Sequence, residues 1–386
     1  MIKYCLGVDV SKKDFHCCIS VIDQTQKVTV KSSRKFSNIK EGFAELHLWI
    51  KKQHKDPSVP LVVVMEATGV YYEQLAFYLF KTGYSISVVL ANKAKKYLQS
   101  TGIKSKNDKI DAQGLSRMGA EQRLDLWTPM EFFFYELRIL SRQHQSLQEL
   151  KTSLTNQQHA LNLGMYQSKL AAKQLKTLIA TLDKQIAALG KAIEQQINSN
   201  AEVEQKVSNI CKIKGLGLLT VAVVLAETNG FTLFTNSRQL ISYAGYDVVE
   251  NQSGNHKGRT RISKKGNSHI RRMLHLPAFN VVRFEQTPFI GLYTRTLQKH
   301  GQKMKSYVAV QKKLLVLIYS LWKNNEAYVP NYESNKHTGE KEQKPSSLLG
   351  LEQAGTENKS SAIPEGSATQ GRHTVEKSQP ASSLQT

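Results

Sequence analysis

Four acidic residues stand where they could do hard-metal chemistry. Asp9 ends the run Leu6-Gly7-Val8, Glu66 ends Val62-Val63-Val64-Met65, and Asp108 and Asp111 lie three apart in Asn107-Asp108-Lys109-Ile110-Asp111-Ala112. The last spacing puts both carboxylates on one face of a helix. Carboxylate oxygens suit Mg²⁺, with Mn²⁺ a possible substitute, and a metal so held supports displacement at phosphorus. A fifth reactive residue, Ser253, sits in the stretch 251–267, which has three glycines, five Lys or Arg and no acid. Glycine lets a backbone approach a phosphate closely, and Lys257, Arg259, Arg261, Lys264 and Lys265 would hold the anion beside it. A serine hydroxyl needs a base or a metal before it attacks. His256 is close enough in sequence to be such a base, although an exposed or phosphate-contacting histidine is the commoner role.

The segments around these residues set their positions. Residues 2–10, 15–22 and 27–36 read as three consecutive strands, with Phe15, Cys17, Ile19 and Val21 alternating against His16, Cys18 and Ser20. A helix is predicted over 39–52, then a strand over 61–65 whose continuous apolar run suggests burial on both faces, a helix over 70–81 and a strand over 85–90. Three adjacent strands followed by alternating helices and strands is the order of an α/β ribonuclease-H-like fold. In that fold Asp9 and Glu66 end the first and fourth strands, and the four acids converge at one edge of the sheet.

From about 131 to 197 Gly and Pro nearly vanish. Leu175, Leu178, Leu182, Ile186, Leu189, Ile193 and Ile197 form a heptad seam, and an earlier stripe from Leu137 to Leu161 stops near Gly164. Two long helices are predicted, either as an antiparallel hairpin or as an intermolecular coiled coil. The turn Gly215-Leu216-Gly217 resembles the helix-hairpin-helix device that offers backbone N–H groups to phosphate, and an ordinary helix–helix turn reads the same way. Beyond it come a helical stretch before Tyr246, a helix carrying Arg271 and Arg272 to about Phe284, and an apolar helix ending near Trp322. The expected domains are therefore 1–130, 131–205 and 206–328, with 329–386 as a disordered tail; from 331 that tail holds six basic and seven acidic residues and almost no aromatics.

A net charge of +22 and a pI near 9.7 make nucleic acid the expected partner, and the whole excess lies before the tail. Lys12, Lys104, Lys106 and Lys109 flank the acids and could guide a phosphate backbone. No apolar run is long enough to span a membrane, and no leader is evident, so a cytoplasmic protein is expected. Cys5, Cys17, Cys18 and Cys211 form no metal-binding spacing and read as reduced core thiols.

Taken in order, Gly7-Val8-Asp9-Val10-Ser11-Lys12, Glu66-Ala67-Thr68-Gly69-Val70-Tyr71, Asn107-Asp108-Lys109-Ile110-Asp111-Ala112, the Gly-Leu-Gly turn, Ala244-Gly245, Gln252-Ser253-Gly254 and the stretch 261–267 resemble the motifs of the DEDD transposases of the insertion-sequence one-ten family. The likeness spans roughly residues 1 to 325. It implies a bacterial, nucleoid-associated DNA recombinase with a RuvC-like first domain, a coiled-coil middle and a transposase domain. It implies further that Asp9, Glu66, Asp108 and Asp111 bind metal, that Ser253 is the nucleophile, and that acids and serine come from different subunits of a homo-oligomer, a dimer or tetramer. Donor and target DNA would be selected through a structured bridge RNA. Where many relatives have Pro shortly before Gln-Ser-Gly, this chain has Val248.

Three other readings use the same residues. A RuvC-like nuclease or junction resolvase would use the acids with water as nucleophile and would not need Ser253. An actin-like sugar or acetate kinase also has an early strand ending in Asp, but leaves the basic excess and the serine stretch unexplained. A non-catalytic nucleic-acid-binding protein would need neither acids nor serine.

Overall fold

Alternating apolar residues build the first sheet in the structure, a computed structural model that describes residues 1–102, 107–250, 252–254, 256–258 and 260–330. Strands β1 (Lys3–Val10), β2 (Asp14–Ile22) and β3 (Val28–Ser37) form an antiparallel meander. After helix α1 (Lys40–Gln53), strand β4 (Leu61–Glu66) adds parallel to β1; after α2 (Glu73–Lys81), β5 (Ser85–Val89) adds parallel to β4. The order β3-β2-β1-β4-β5 is that of the ribonuclease-H-like fold expected from the sequence. Helix α2 begins three residues later than the periodicity predicts, because Gly69 takes a positive φ and Tyr71 N–H bonds Thr68 O, closing a turn first. Two further helices follow, α3 (Ala91–Ser100), which the sequence pattern does not announce, and α4 (Asp108–Glu121).

Side-chain alternation divides the sheet into two cores. Tyr4, Leu6, Val8 and Val10 pack with Phe43, Leu46, Leu75 and Leu79 on the α1 and α2 side. Cys5 and Val64 pack with Ala94, Leu115 and Met118 on the α3 and α4 side. Cys5 and Cys17 lie in these layers, and burial pushes the Cys5 thiol up to about 12.

The remaining described residues are mainly helical. Helices α5 (Phe132–Leu163) and α6 (Lys169–Asn198) turn back on each other within one chain: Gln196 Nε2 donates to Phe133 O at 3.3 Å near the base, and Lys151 meets Asp183 at 2.5 Å further out. On α6 the heptad seam is buried at Ile193 and Ile197, and on α5 the stripe is buried at Leu137, where both join the helical core; Leu178 is half-exposed. Helix α7 (Ala201–Cys211) leads to α8 (Leu218–Thr228), apolar on all sides and buried accordingly. After α9 (Ser237–Tyr243) the chain forms β6 (Val248–Val249), β7 (Gln252–Ser253), β8 (His256–Lys257) and β9 (Arg261–Ile262). These pair as β6 with β9 and β7 with β8, so the expected loop is a β-hairpin. Val248 sits opposite Ile262, and Gly254 supplies the positive φ that a tight hairpin turn needs.

The helix expected from Arg271 to Phe284 is two: α10 (Ser268–Met273) and α11 (His275–Arg283). Pro277 lacks the N–H that would bond Met273 O, four residues back, and the helix is interrupted at Leu274, one turn before it. Helix α12 (Thr287–His300) and α13 (Lys303–Asn324) complete the core. No helix among the described residues is long and apolar enough to cross a membrane. The residues beyond 330, expected to be disordered, lie outside those described, as do Lys104, Lys106 and Arg259.

Candidate active site at the carboxyl end of the sheet

Strand register brings the first two acids together. Val8 lies opposite Met65 in the parallel β1–β4 pair, so Asp9 and Glu66 are the next residues on adjacent strands. With a period of two, Asp9 shares its face with Cys5 and Gly7, and Glu66 shares its face with Val62 and Val64. Helix α4 lies on that face at backbone contact. A Cβ on Gly7 would stand 2.1 Å from Ala112 O and 2.2 Å from Ser116 N, and one on Gly119 would stand 2.2 Å from Cys5 Sγ. Ser116 Oγ donates to Cys5 O at 2.9 Å. Because α4 runs opposite to β1, its first turn, with Asp108 and Asp111, arrives where Asp9 and Glu66 leave the sheet.

Local chemistry supports acids in that turn. Asn107 caps α4 by accepting from Ile110 N–H at 2.9 Å, and the amino end of a helix favours negative charge. His16, the strand partner of Asp9, places Nδ1 3.6 Å from Asp108 Oδ2. Motif spacing does not single out His16; its signal in the sequence is position, on the same face as Cys18 in a strand hairpinned to β1. Asn38 Nδ2 ties the loops after both acid-bearing strands, donating to Ser11 O at 2.9 Å and Tyr71 O at 3.2 Å.

Among the described residues no group of three or more His, Cys, Asp or Glu side chains is drawn together closely enough to hold a metal ion. The ligand chemistry still suits one, since four hard carboxylates stand at one end of a sheet, Asp108 is 61 % exposed, and the other three are partly exposed. Asp9, Glu66, Asp108 and Asp111 are the residues that would hold it. Lys12 and Lys109 stand exposed beside them.

Ser253 is placed elsewhere in the chain, exposed at the end of its hairpin with His256 as strand partner. The side chains of His256 and Lys257 lie outside the described set. The base of the hairpin is held by Ser263 N–H to Asp247 O at 2.7 Å and Lys264 N–H to Gly245 O at 3.1 Å. Arg261, Lys264 and Lys265 remain exposed around it.

Two cations assigned to the basic face are also bonded within the chain. Arg271 Nη1 donates to Ala244 O at 2.9 Å and to Gly266 O and Asn267 O at 3.2 Å each, while Arg272 pairs with Glu149 on α5. Sequence does not separate them from free cations, because their acceptors are backbone carbonyls and a residue on a distant helix. The Gly-Leu-Gly turn is likewise used in packing. Gly215 has φ +98°, and an added Cβ would stand 2.7 Å from Asn280 Cβ on α11; Gly217 caps α8 with open space around it. The ordinary helix–helix turn accounts for Gly215.

Residues 6–166 match the family model DEDD_Tnp_IS110, described as Transposase, and residues 207–294 match the Transposase IS116/IS110/IS902 family. A pilin gene-inverting protein of Moraxella bovis is 29 % identical over 333 residues, covering 85 % of this chain and 98 % of its own. The transposase for insertion sequence element IS1111A of Coxiella burnetii is 23 % identical, with 84 % and 90 % covered. A RuvC structure from Thermus thermophilus aligns with 31 % of this chain and 93 % of its own, at 11 % identity and a TM-score of 0.25. Both matched segments stand in order on one chain, so over residues 6–166 and 207–294 the protein is similar to the transposases that these two family models describe.

Proposed function

We propose that the chain is an insertion-sequence DNA recombinase in which Ser253 attacks a DNA phosphate and the acids Asp9, Glu66, Asp108 and Asp111 hold Mg²⁺ or Mn²⁺. Cleavage and transfer of DNA strands follow from the transposase domains that the chain carries. The observation that supports this reading is that Asp9 and Glu66 end adjacent strands of one sheet, while an exposed serine stands on a cationic hairpin elsewhere in the chain.

In this reading the serine Oγ forms a bond to phosphorus as the bond to the 3′ oxygen breaks, leaving a phosphoserine and a free 3′ hydroxyl. The exchanged strand's 3′ hydroxyl then displaces the serine, so the phosphodiester count is conserved and no ATP is used. A bound divalent ion would activate the attacking oxygen and stabilise the leaving one. Exposed Arg261, Lys264 and Lys265 would offset charge developing on phosphorus. Serine and acids stand on different elements, β7 against β1, β4 and α4, and we take the site to be assembled between subunits. The basic balance of the chain supports nucleic-acid partners, which we take to be donor DNA, target DNA and a structured bridge RNA encoded beside the gene.

The test is covalent capture. Wild-type protein, incubated with radiolabelled element-end duplex, guide RNA and Mg²⁺, should give a protein–DNA adduct stable to denaturant. Ser253→Ala should give none while retaining RNA binding and its thermal midpoint, since the side chain is exposed. Cleavage at wild-type rate by Ser253→Ala would instead establish water as the nucleophile, as in a resolvase.

A further inference from the structure

A single acid interrupts the apolar sequence of α8, and it is buried. Glu227 exposes 1 % of its side chain. A lone carboxylate there would be strongly unfavourable, and three donors satisfy it. Arg142 on α5 presents its fork, Nε to Oε1 at 2.7 Å and Nη2 to Oε2 at 2.9 Å, and Asn267 Nδ2 donates to Oε2 at 2.7 Å. Burial pushes the carboxyl up, but the bonds from Arg142 and Asn267 and the Arg142 charge hold it below the usual glutamate range, so it stays ionised at neutral pH.

Asn267 belongs to the returning end of the serine hairpin. Its N–H bonds Tyr243 O at 2.7 Å, and its Oδ1 caps α10 through Ile270 N–H at 3.1 Å. Tyr243 OH donates back to Glu227 O at 2.9 Å. Just before it, Gly266 has no room for a side chain: a Cβ would stand 2.4 Å from Tyr243 O and 2.6 Å from Gly245 N. Both legs of the hairpin are thus clamped together, and the clamp is bonded to Glu227.

The other partner, Arg142, belongs to a stripe on α5. Tyr135, Arg138 and Arg142 advance by three and four residues, which keeps them on one side of the helix. Tyr135 OH donates to Glu73 Oε2 at 2.7 Å and Arg138 lies 3.7 Å from Glu73 Oε1, and Glu73 opens α2 directly after the turn that follows Glu66. One helix face therefore joins the segment that follows Glu66 to the root of the serine hairpin.

We propose that Glu227 is a positioning residue for Ser253: bonded to Arg142 and Asn267, it mounts the root of the serine hairpin on α5. The catalytic consequence rests on the serine-nucleophile reading, whereas the mount itself has a separate readout. Glu227→Gln keeps the shape and removes the charge that Arg142 and Asn267 share; Arg142→Lys keeps the charge and removes the fork. In full-length protein, amide exchange across 247–263 should rise roughly tenfold in both variants, with exchange in α13 and in β1 unchanged. Adduct formation at Ser253 should fall about tenfold in Glu227→Gln, while the Kd for a fluorescein-labelled duplex of arbitrary sequence stays within roughly twofold. Unchanged exchange over 247–263, or an equal rise throughout the helical core, overturns the mount. Faster hairpin exchange with undiminished adduct yield overturns its positioning role. Because exchange is read without DNA, a failure of the serine chemistry, seen as full cleavage by Ser253→Ala, leaves the exchange result and the mount unaffected.

Discussion

Exchanging Asp9 for asparagine should lower DNA strand cleavage by at least about a thousandfold, the equivalent of roughly 4 kcal/mol of transition-state stabilisation from a well-held metal. Asparagine has the same shape but offers one neutral oxygen in place of an anionic carboxylate. Asp9 is also the acid whose position depends least on loops, since it is set by the β1–β4 register beside Glu66 and by the approach of α4 at Gly7. The variant should fold, with a thermal midpoint within a few degrees of wild type, and should still bind duplex DNA through the cationic surface. The check is a cleavage assay with and without EDTA. Wild-type activity should vanish on chelation and return with added Mg²⁺, whereas Asp9→Asn should show little in either state. Wild-type rates from the variant would remove the carboxylate cluster from the chemistry.

Gly7→Ala is expected to damage stability and activity together. The added Cβ would meet three backbone atoms of α4, at 2.1, 2.2 and 2.8 Å, and backbone cannot rotate out of the way as a side chain can. Helix α4 must lift from β1, straining the Ser116 Oγ to Cys5 O bond and opening a gap in the layer of Leu115 and Met118. Overpacking of this kind costs about 1–3 kcal/mol or more, and the first turn of α4 would carry Asp108 and Asp111 away from Asp9 and Glu66. Gly190→Ala makes the opposite prediction. That glycine lies inside α6 with nothing within 4 Å of an added Cβ, so alanine should stabilise by about 0.5–1 kcal/mol through helix propensity. Chemical denaturation of the two variants, read at equal protein concentration, compares them directly. A neutral Gly7→Ala would mean that α4 is not seated on β1.

Much of the first domain is legible in the sequence because its signals are local. Period-two alternation marks β1, β2 and β3 to within a residue or two, the apolar run of β4 marks a strand covered on both faces, and the break at Gly164 separates α5 from α6. Helix α3 escapes because its sequence is short and lysine-rich, with Ala94 its one fully buried residue. The serine segment has the composition of a loop since glycine and charge dominate it; pairing of two-residue strands depends on partners that meet only after the chain turns. The intrachain acceptors of Arg271 and Arg272 are hidden for a similar reason, as sequence displays a charge but not the carbonyls or the Glu149 that it meets after folding.

The sequence alone determined at which ends of which elements Asp9, Glu66, Asp108 and Asp111 stand, because strand alternation and helical spacing follow from bonds between near neighbours. Tertiary structure decided what those residues face. The absence of a side chain at Gly7 lets α4 settle on one particular face of β1, which brings the first turn of α4 to the end of the sheet and sets His16 beside Asp108. Likewise, burial of Glu227 against Arg142 and Asn267 converts an isolated acid in an apolar helix into the seat of the serine hairpin. Both outcomes rest on contacts between residues far apart in the chain, whose geometry is set only when the packed layers close.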